Sequence, residues 1–321
     1  MTEKDNPIKT TPYEGRIACF GEAMAELMLG SDASSSAALG FAGDTLNTAI
    51  YLRRLLGDTA DVSFVTRLGK DSLSARTLQF IRSENIKTDQ IAIHPERSIG
   101  LYAIETDKDG ERSFSYWRGQ SAARTLFEEN GHADFSVLTN YDVLCFSAIT
   151  LAILPNDIRH ALIAELQRLR TTNNVRVVFD SNYRPALWES TEVAQECVAA
   201  AWRITDIALP SVDDEQALFN DANEAAVLDR LHSYGIEKGA LKRGALGPKA
   251  LGEQNNTDGE AVSFPEATHI VDTTAAGDSF NAGYLSALLS GATDSAAMLA
   301  GHNCSLRVIA NSGAIIPESQ W

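Results

Sequence analysis

The chain of 321 residues is short of cysteine, of long apolar runs and of positive charge, with 27 Lys and Arg against 43 Asp and Glu. No run approaches the roughly 18 apolar residues of a membrane-spanning helix, so none is expected. The four cysteines, Cys19, Cys145, Cys197 and Cys304, are widely spaced, two of them in apolar strand-like runs. That spacing excludes a disulfide framework or a Cys-x-x-Cys metal site and implies free buried thiols in a reducing, cytoplasmic setting. The six histidines likewise lack ligand spacing. A net charge of −16 speaks against a nucleic-acid surface. An anionic ligand would therefore need a local basic pocket, which draws attention to isolated Arg residues in polar segments. Two phosphate-binding signatures, Gly-x-x-x-x-Gly-Lys-Ser/Thr and Gly-x-Gly-x-x-Gly, are also missing, so neither a P-loop nor a dinucleotide fingerprint is expected. Residues 1–12 are too polar for a signal peptide and read as a flexible tail.

What is present centres on Val271-Asp-Thr-Thr-Ala-Ala-Gly-Asp-Ser-Phe-Asn-Ala-Gly-Tyr284. The stretch starts extended, turns at Ala275-Ala276-Gly277 and continues as a helix, with Phe280, Tyr284 and Leu288 repeating at i+4 and Gly291 as its stop. A small-residue turn entering a helix leaves backbone N–H groups free at the positive end of the helix dipole, and so forms an anion site. Asp278 at the mouth of such a site would repel phosphate. Its economical role is that of a general base taking a proton from a hydroxyl while the N–H groups hold charge on a transferring phosphoryl group. The bland alternative is a helix-capping Asp after a glycine turn.

Along the rest of the chain, strands and helices alternate. Arg16–Glu22, Val62–Gly69, Val143–Ser147, Val175–Asp180, Ile207–Pro210 and Gly239–Gly247 read as strands. Helices are expected after Asp44 or Thr45, after Asp71, over Pro155–Arg170, after Ser211 and over Ala296–Ile309. This is the pattern of a mostly parallel sheet covered by helices. Leu101–Glu105 and Arg112–Trp117, joined by an Asp-Gly turn, read as an inserted hairpin and a candidate lid. Asp180, Asn182 and Arg184 follow the carboxyl end of a central strand, where such sheets place ligands.

The motif Asp272-Thr-Thr-Ala-Ala-Gly-Asp278 resembles the signature of the ribokinase-like (PfkB) sugar kinases, and Ala42-Gly43-Asp44-Thr45-Leu46-Asn47 resembles their amino-terminal sugar turn. The resemblance runs from about Arg16 to Pro317. It is closest to members that phosphorylate 2-keto-3-deoxygluconate, through Gly21–Leu27, Gly43–Thr48, Gly100–Thr106, Gly110–Arg118, Asn182–Trp188 and Gly313–Pro317.

The resemblance implies a three-layer α/β fold over residues 13–317, with lid strands from about 30–42 and 97–118. It implies an ATP- and Mg²⁺-dependent kinase acting on the 6-hydroxyl of a sugar acid. Asp278 would be the base and Ala275, Ala276 and Gly277 the anion hole. Gly43 and Asn47 would hold sugar hydroxyls. Tyr102, Tyr116, Arg118 and Arg184 would surround the substrate, the two arginines facing its carboxylate, a task that suits planar guanidinium forks. Asn182, Lys242, Arg243, Gly244, Gly247 and Gly277 would meet the nucleotide. Asp214 would sit near Mg²⁺, and Asp272 and Thr274 near a monovalent cation such as K⁺.

Three positions depart from the family pattern. Ala42 stands at the first glycine of the sugar turn. Ala275-Ala276 replaces a glycine-bearing pair at the anion hole, which suits only backbone of ordinary φ. Ser211-x-x-Asp214 replaces Asn-x-x-Glu, with Glu215 as an alternative metal carboxylate. The competing readings are a fructokinase or another sugar kinase, and a non-catalytic sugar-binding homologue. A homodimer pairing through the lid is expected.

Overall fold

The computed structural model describes residues 11–29, 36–106, 112–252 and 263–321. The beginning of the expected tail, part of the first lid segment and the Asp-Gly turn of the hairpin lie outside the described residues. The chain opens with β1 (Arg16–Phe20), β2 (Met24–Met28) and β3 (Ala38–Ala42), then α1 (Asp44–Leu56), β4 (Asp61–Leu68), α2 (Ser72–Ser83) and β5 (Ile91–Ile93). Next come β6 (Gly100–Thr106), β7 (Arg112–Trp117) and a two-residue ladder of β8 (Glu128–Glu129) with β9 (His132–Ala133). The second half holds β10 (Val143–Ser147), α3 (Ala148–Ile153), α4 (Asn156–Asn173), β11 (Arg176–Asp180), α5 (Thr191–Trp202), β12 (Ile207–Leu209), α6 (Val212–Phe219) and α7 (Glu224–Ser233). It ends with β13 (Ala240–Leu241), β14 (Lys249–Ala250), α8 (Ala276–Leu289) and α9 (Asp294–Ile309).

The strands β12-β11-β10-β1-β4-β5 form a six-stranded sheet, parallel throughout. Its central strands are buried on both faces, and successive side chains feed different cores. Ile17, Cys19, Val143 and Cys145 join α1, α8 and α9 on one side. Ala18, Phe20, Leu144 and Phe146 join α3, α4 and α5 on the other. This period-two partition explains the near-continuous apolar strands and the three-layer build. All four cysteines are free and buried. Among the described residues no helix is long and apolar enough to cross a membrane.

A second sheet, β3-β2-β6-β7, stands beside the first. Its β6–β7 pair is antiparallel, with Tyr102 opposite Tyr116, as the hairpin reading expected. Sequence reading did not anticipate β2, α3, α5 or α7. Of the two expected caps for α1, neither acts: Gly43 is the N-cap residue and no side chain caps the helix. Gly43 is extended, and glycine is needed there for space, since a Cβ would stand 2.1 Å from the Glu22 carbonyl oxygen.

Helix α8 is buried nearly all round and crosses α9 where two glycines meet. A Cβ on Gly283 would stand 2.7 Å from the Ala300 carbonyl oxygen and 2.8 Å from the Gly301 Cα. This close crossing fixes the start of α8, where Asp278 lies. Gly283→Ala is therefore expected to lower stability by about 1–3 kcal/mol through overpacking. Urea denaturation checks this, and an unchanged midpoint would show that the helices can part without cost.

Candidate active site

The carboxyl ends of the central strands, the start of α8 and the inner face of the second sheet enclose a cavity of about 1160 Å³. Gly43, Asn47, Tyr102, Tyr116, Arg118, Asn182, Arg184, Asp214, Lys242, Arg243, Gly244, Thr274, Ala275, Ala276, Gly277 and Asp278 all line it. Two expected residues stand apart. Gly247 turns against Phe264, where a Cβ would meet the ring at 2.8 Å, and its carbonyl accepts from Arg243 Nε at 2.9 Å. Asp272 is buried behind the turn, accepting the Thr274 N–H at 2.9 Å and the Gly313 N–H at 2.7 Å.

The turn into α8 is built as an anion site. Ala275 is its N-cap residue at φ 60 and ψ 17, a left-handed conformation. The sequence reading made the anion hole conditional on ordinary φ at the two alanines; Ala275 departs from it, accepting a strain of about 1–2 kcal/mol that glycine would avoid. The Ala276 N–H is spent on the Thr273 carbonyl at 3.1 Å. Among the described residues no carbonyl takes the N–H of Ala275, Gly277 or Asp278, so of the three expected donors Ala276 alone is spent and Asp278 adds its own. Lys242 completes the site from β13's end. Its Nζ donates to Asp180 Oδ1 at 2.8 Å and Asn281 Oδ1 at 3.1 Å, and would lie 3.6 Å from a Cβ at Gly277.

Asp278 is surrounded by protein but faces the cavity. Asn47 Nδ2 donates to its Oδ2 at 2.8 Å, tying the sugar turn to α8 across 231 residues. Desolvation, then the negative charge of Asp44, pushes its carboxyl from an ordinary 3.8 up to about 8. Such a group is a base near neutral pH rather than a spent carboxylate.

Asp44 belongs to the sugar-turn motif, but the one role expected of its side chain was that of a helix cap. It faces the cavity instead, accepting from Ser147 Oγ and from Asn182 Nδ2, the latter at 2.9 Å. Asp180 is held by Lys242 and by Asn281 Nδ2 at 2.6 Å. Arg118 is buried and paired with buried Glu22, while Arg184 is half-exposed with Nη1 3.5 Å from Asp214 Oδ1. Tyr102 lines the cavity and donates its hydroxyl to Glu26. Glu215, the alternative metal carboxylate, is fully buried and paired with Arg230 at 2.9 Å, and it does not line the cavity. Sequence reading also missed Arg124, from the turn Ala122–Thr125, which reaches the same cavity.

Among the described residues no cluster of three or more His, Cys, Asp or Glu could hold a metal ion. That suits Mg²⁺ carried in on a nucleotide, which takes one or two carboxylates and draws its other ligands from phosphate and water. Asp214, partly buried on the cavity wall, fits that part. Both Asp272 oxygens already serve backbone N–H groups, so the loop's visible role is to tie residue 313 to the α8 turn.

The family model for the pfkB family of carbohydrate kinases matches residues 14–321. The chain is 41% identical over 306 residues to 2-dehydro-3-deoxygluconokinase of Escherichia coli K12, covering 94% of this chain and 97% of that protein. It is also 41% identical to the enzyme of the same name from Dickeya dadantii, covering 94% and 96%. The crystal structure of a PfkB protein from Polaromonas sp. JS666 superposes with a TM-score of 0.78 at 25% identity, covering 92% of this chain and 96% of that one.

The raised carboxyl of Asp278 has a signed consequence. In the unfolded chain it ionises near 3.8, in the folded chain near 8. Between those values the folded state holds a proton the unfolded state has lost, so this group contributes less stability as pH rises, levelling off above about 8. Asp278→Asn removes the penalty. It is expected to be more stable than the parent by about 1–3 kcal/mol near pH 9, with a smaller gap near pH 5. Denaturant melts at both pH values check this; a gap independent of pH would mean the carboxyl ionises normally.

Proposed function

The chain belongs to the pfkB family of carbohydrate kinases, and from that premise we propose that it transfers the γ-phosphoryl group of ATP to the 6-hydroxyl of 2-keto-3-deoxygluconate, also called 2-dehydro-3-deoxygluconate. The observation that carries the reading is a carboxylate with a pKa near 8 beside open helix-start amides, in one cavity with several guanidinium groups. Gly43 and Asn47 hold the sugar near Asp278, and Tyr102, Tyr116, Arg118 and Arg184 wall its other side. The second sheet acts as the lid. Its exposed Phe114 and Trp117 are where we place the contact with a second copy of the chain.

Asp278 accepts the proton of the 6-hydroxyl as that oxygen attacks the γ-phosphorus. The new O–P bond forms while the bond from phosphorus to the β–γ bridging oxygen breaks, and ADP leaves with that electron pair. The open N–H groups of Gly277 and Asp278, with the Lys242 ammonium, take up the charge on the transferring group. Arg243 and Gly244 line the nucleotide end, and Asn182 stands between the two ends through its bond to Asp44. Mg²⁺ bound with ATP would lower the phosphate charge, and Asp214 would hold it.

Turnover of 2-keto-3-deoxygluconate, 2-keto-3-deoxygalactonate and fructose, measured side by side, is expected to favour the gluconate. A preference for fructose would remove the sugar-acid reading. The kcat/KM for the sugar is expected to rise with pH up to about 8, as Asp278 loses its proton. Asp278→Asn should lower turnover by roughly 10³-fold or more, because proton removal and positioning fail together. Near-parental turnover in that variant would assign the base elsewhere.

A further inference from the structure

Arg159, in the first turn of α4, is a fully buried permanent charge. Taking a guanidinium out of water is costly unless its donors are met. Here they are. Nε donates to the Leu151 carbonyl at 2.8 Å, and Nη2 to the Leu154 carbonyl at 3.0 Å and to Glu189 Oε1 at 3.1 Å. Nη1 reaches Glu189 Oε2 at 3.3 Å and Cys197 Sγ at 3.9 Å. The face of the fork lies over the Trp188 ring, 4.8 Å from its centroid. None of these partners lines the cavity. An apolar side chain could fill the same space at lower cost. It could not tie the end of α3, the Trp188–Glu189 segment and α5 together in one register.

Two of those segments lead directly into the cavity wall. Ile149 of α3 faces the cavity, as do Asn182, Arg184, Ala186 and Leu187 of the loop after β11. That loop is fastened at both ends. At the strand end, the Asn182 N–H donates to Asp180 Oδ1 at 3.2 Å and its Nδ2 to Asp44 Oδ2 at 2.9 Å. At the far end lies a closed turn, Pro185–Leu187. The Arg184 carbonyl accepts the Leu187 N–H at 3.0 Å, and the Trp188 N–H returns to the Pro185 carbonyl at 3.2 Å. Pro185 fixes its own φ within that turn. Arg184 is thus joined to the clamped Trp188 by one short, stiff piece of backbone.

The Arg184 side chain has little hold of its own. It is about half exposed, with Nη1 on the Tyr183 carbonyl at 2.8 Å and 3.5 Å from Asp214 Oδ1. Among the described residues its Nε and Nη2 have no partner. Where that fork stands is therefore decided by its backbone, and its backbone by the turn behind it. We propose that Arg159 is a positioning residue for the sugar acid: acting through the turn 185–187, it sets where Arg184 stands without touching the substrate.

This inference rests on the kinase reading, and its test separates the two. Steady-state kinetics with ATP and 2-keto-3-deoxygluconate are measured for the parent, Arg159→Lys and Glu189→Ala, each also in an Arg184→Ala background, with thermal melts to establish folding. Lys keeps the charge but loses the fork and its stacked face. Glu189 is more than half exposed, so its removal leaves Arg159 its carbonyl partners and water. The KM for the sugar is expected to rise roughly tenfold in Arg159→Lys and roughly threefold in Glu189→Ala, the size of a lost hydrogen-bonded contact and a partly exposed ion pair. The KM for ATP should stay within about twofold, because the Asn182 end of the loop is held separately. In the Arg184→Ala background the Arg159→Lys factor should fall to about twofold or less, since the residue it acts through is gone. If Arg159→Lys does not fold, Glu189→Ala decides in the same two backgrounds. Folded variants whose sugar KM stays within about twofold of the parent overturn the positioning role and leave the kinase standing. An equal rise for both substrates, or the same factor with and without Arg184, also overturns it, since a merely structural residue behaves that way. A parent that does not phosphorylate the sugar acid removes the proposed function and this inference together.

Discussion

Five carboxylates, Asp44, Asp180, Asp213, Asp214 and Asp278, line one cavity, and the fold around them is an arrangement for keeping them there. Two unit charges about 4 Å apart repel by roughly 4 kcal/mol at the effective dielectric of a partly buried site. Cations and donors are distributed against that repulsion unevenly. Asp180 receives Lys242 and Asn281, Asp214 receives Arg184 and Ser181, and Asp44 receives Ser147 and Asn182. For Asp278 the described residues supply one neutral side-chain donor, Asn47. Asp213 is exposed to solvent; of the other four, the carboxylate with the fewest side-chain donors is the one whose pKa is pushed up to about 8. Its basicity is set first by its own burial and then by the negative charge of Asp44, which has only neutral donors to offset it.

The parts of this arrangement that were legible in the sequence are those whose cause is local. Strands buried on both faces announce themselves as short apolar runs, and α8 and α9 as apolar periods with small residues at their ends. The Ala-Gly-Asp turn is visible because a helix start needs no distant partner to present its N–H groups. Two of the helices passed over, α5 and α7, did carry a signal: Ser190 and Asn223 cap them through bonds to the N–H groups of Val193 and Ala226. Short amphipathic helices without strong periodicity are found from caps rather than from apolar spacing.

What the sequence concealed is pairing over long separations. Asp44, just inside α1, has the local signature of a cap, and nothing near it reveals that its partners are Ser147 and Asn182, 103 and 138 residues away. The same holds for Arg118 and Glu22, 96 residues apart. A guanidinium in a polar segment looks free for a ligand until the fold supplies an internal carboxylate. Residue type therefore pointed to many of the side chains that reach the cavity, but their pairing with one another appears only in three dimensions.

The turn before α8 shows how the remainder of the fold supports this chemistry. Ala275 adopts a conformation that L residues enter at a cost of about 1–2 kcal/mol. The open amides of Gly277 and Asp278 also forgo internal hydrogen bonds. Both penalties fall at one helix end, so something else must hold that end in place. The crossing at Gly283 and Gly301 does so by bringing α8 against α9 at backbone contact. The Asn47–Asp278 bond fastens it to α1, and the Asp272 carboxylate bonded to the Gly313 N–H fastens the preceding loop to the chain beyond α9. A rigid helix pair held from several directions can keep a strained turn and an under-compensated carboxylate in register. A helix packed through larger, more adaptable side chains would relax both, and with them the alignment of base and amides on which phosphoryl transfer depends.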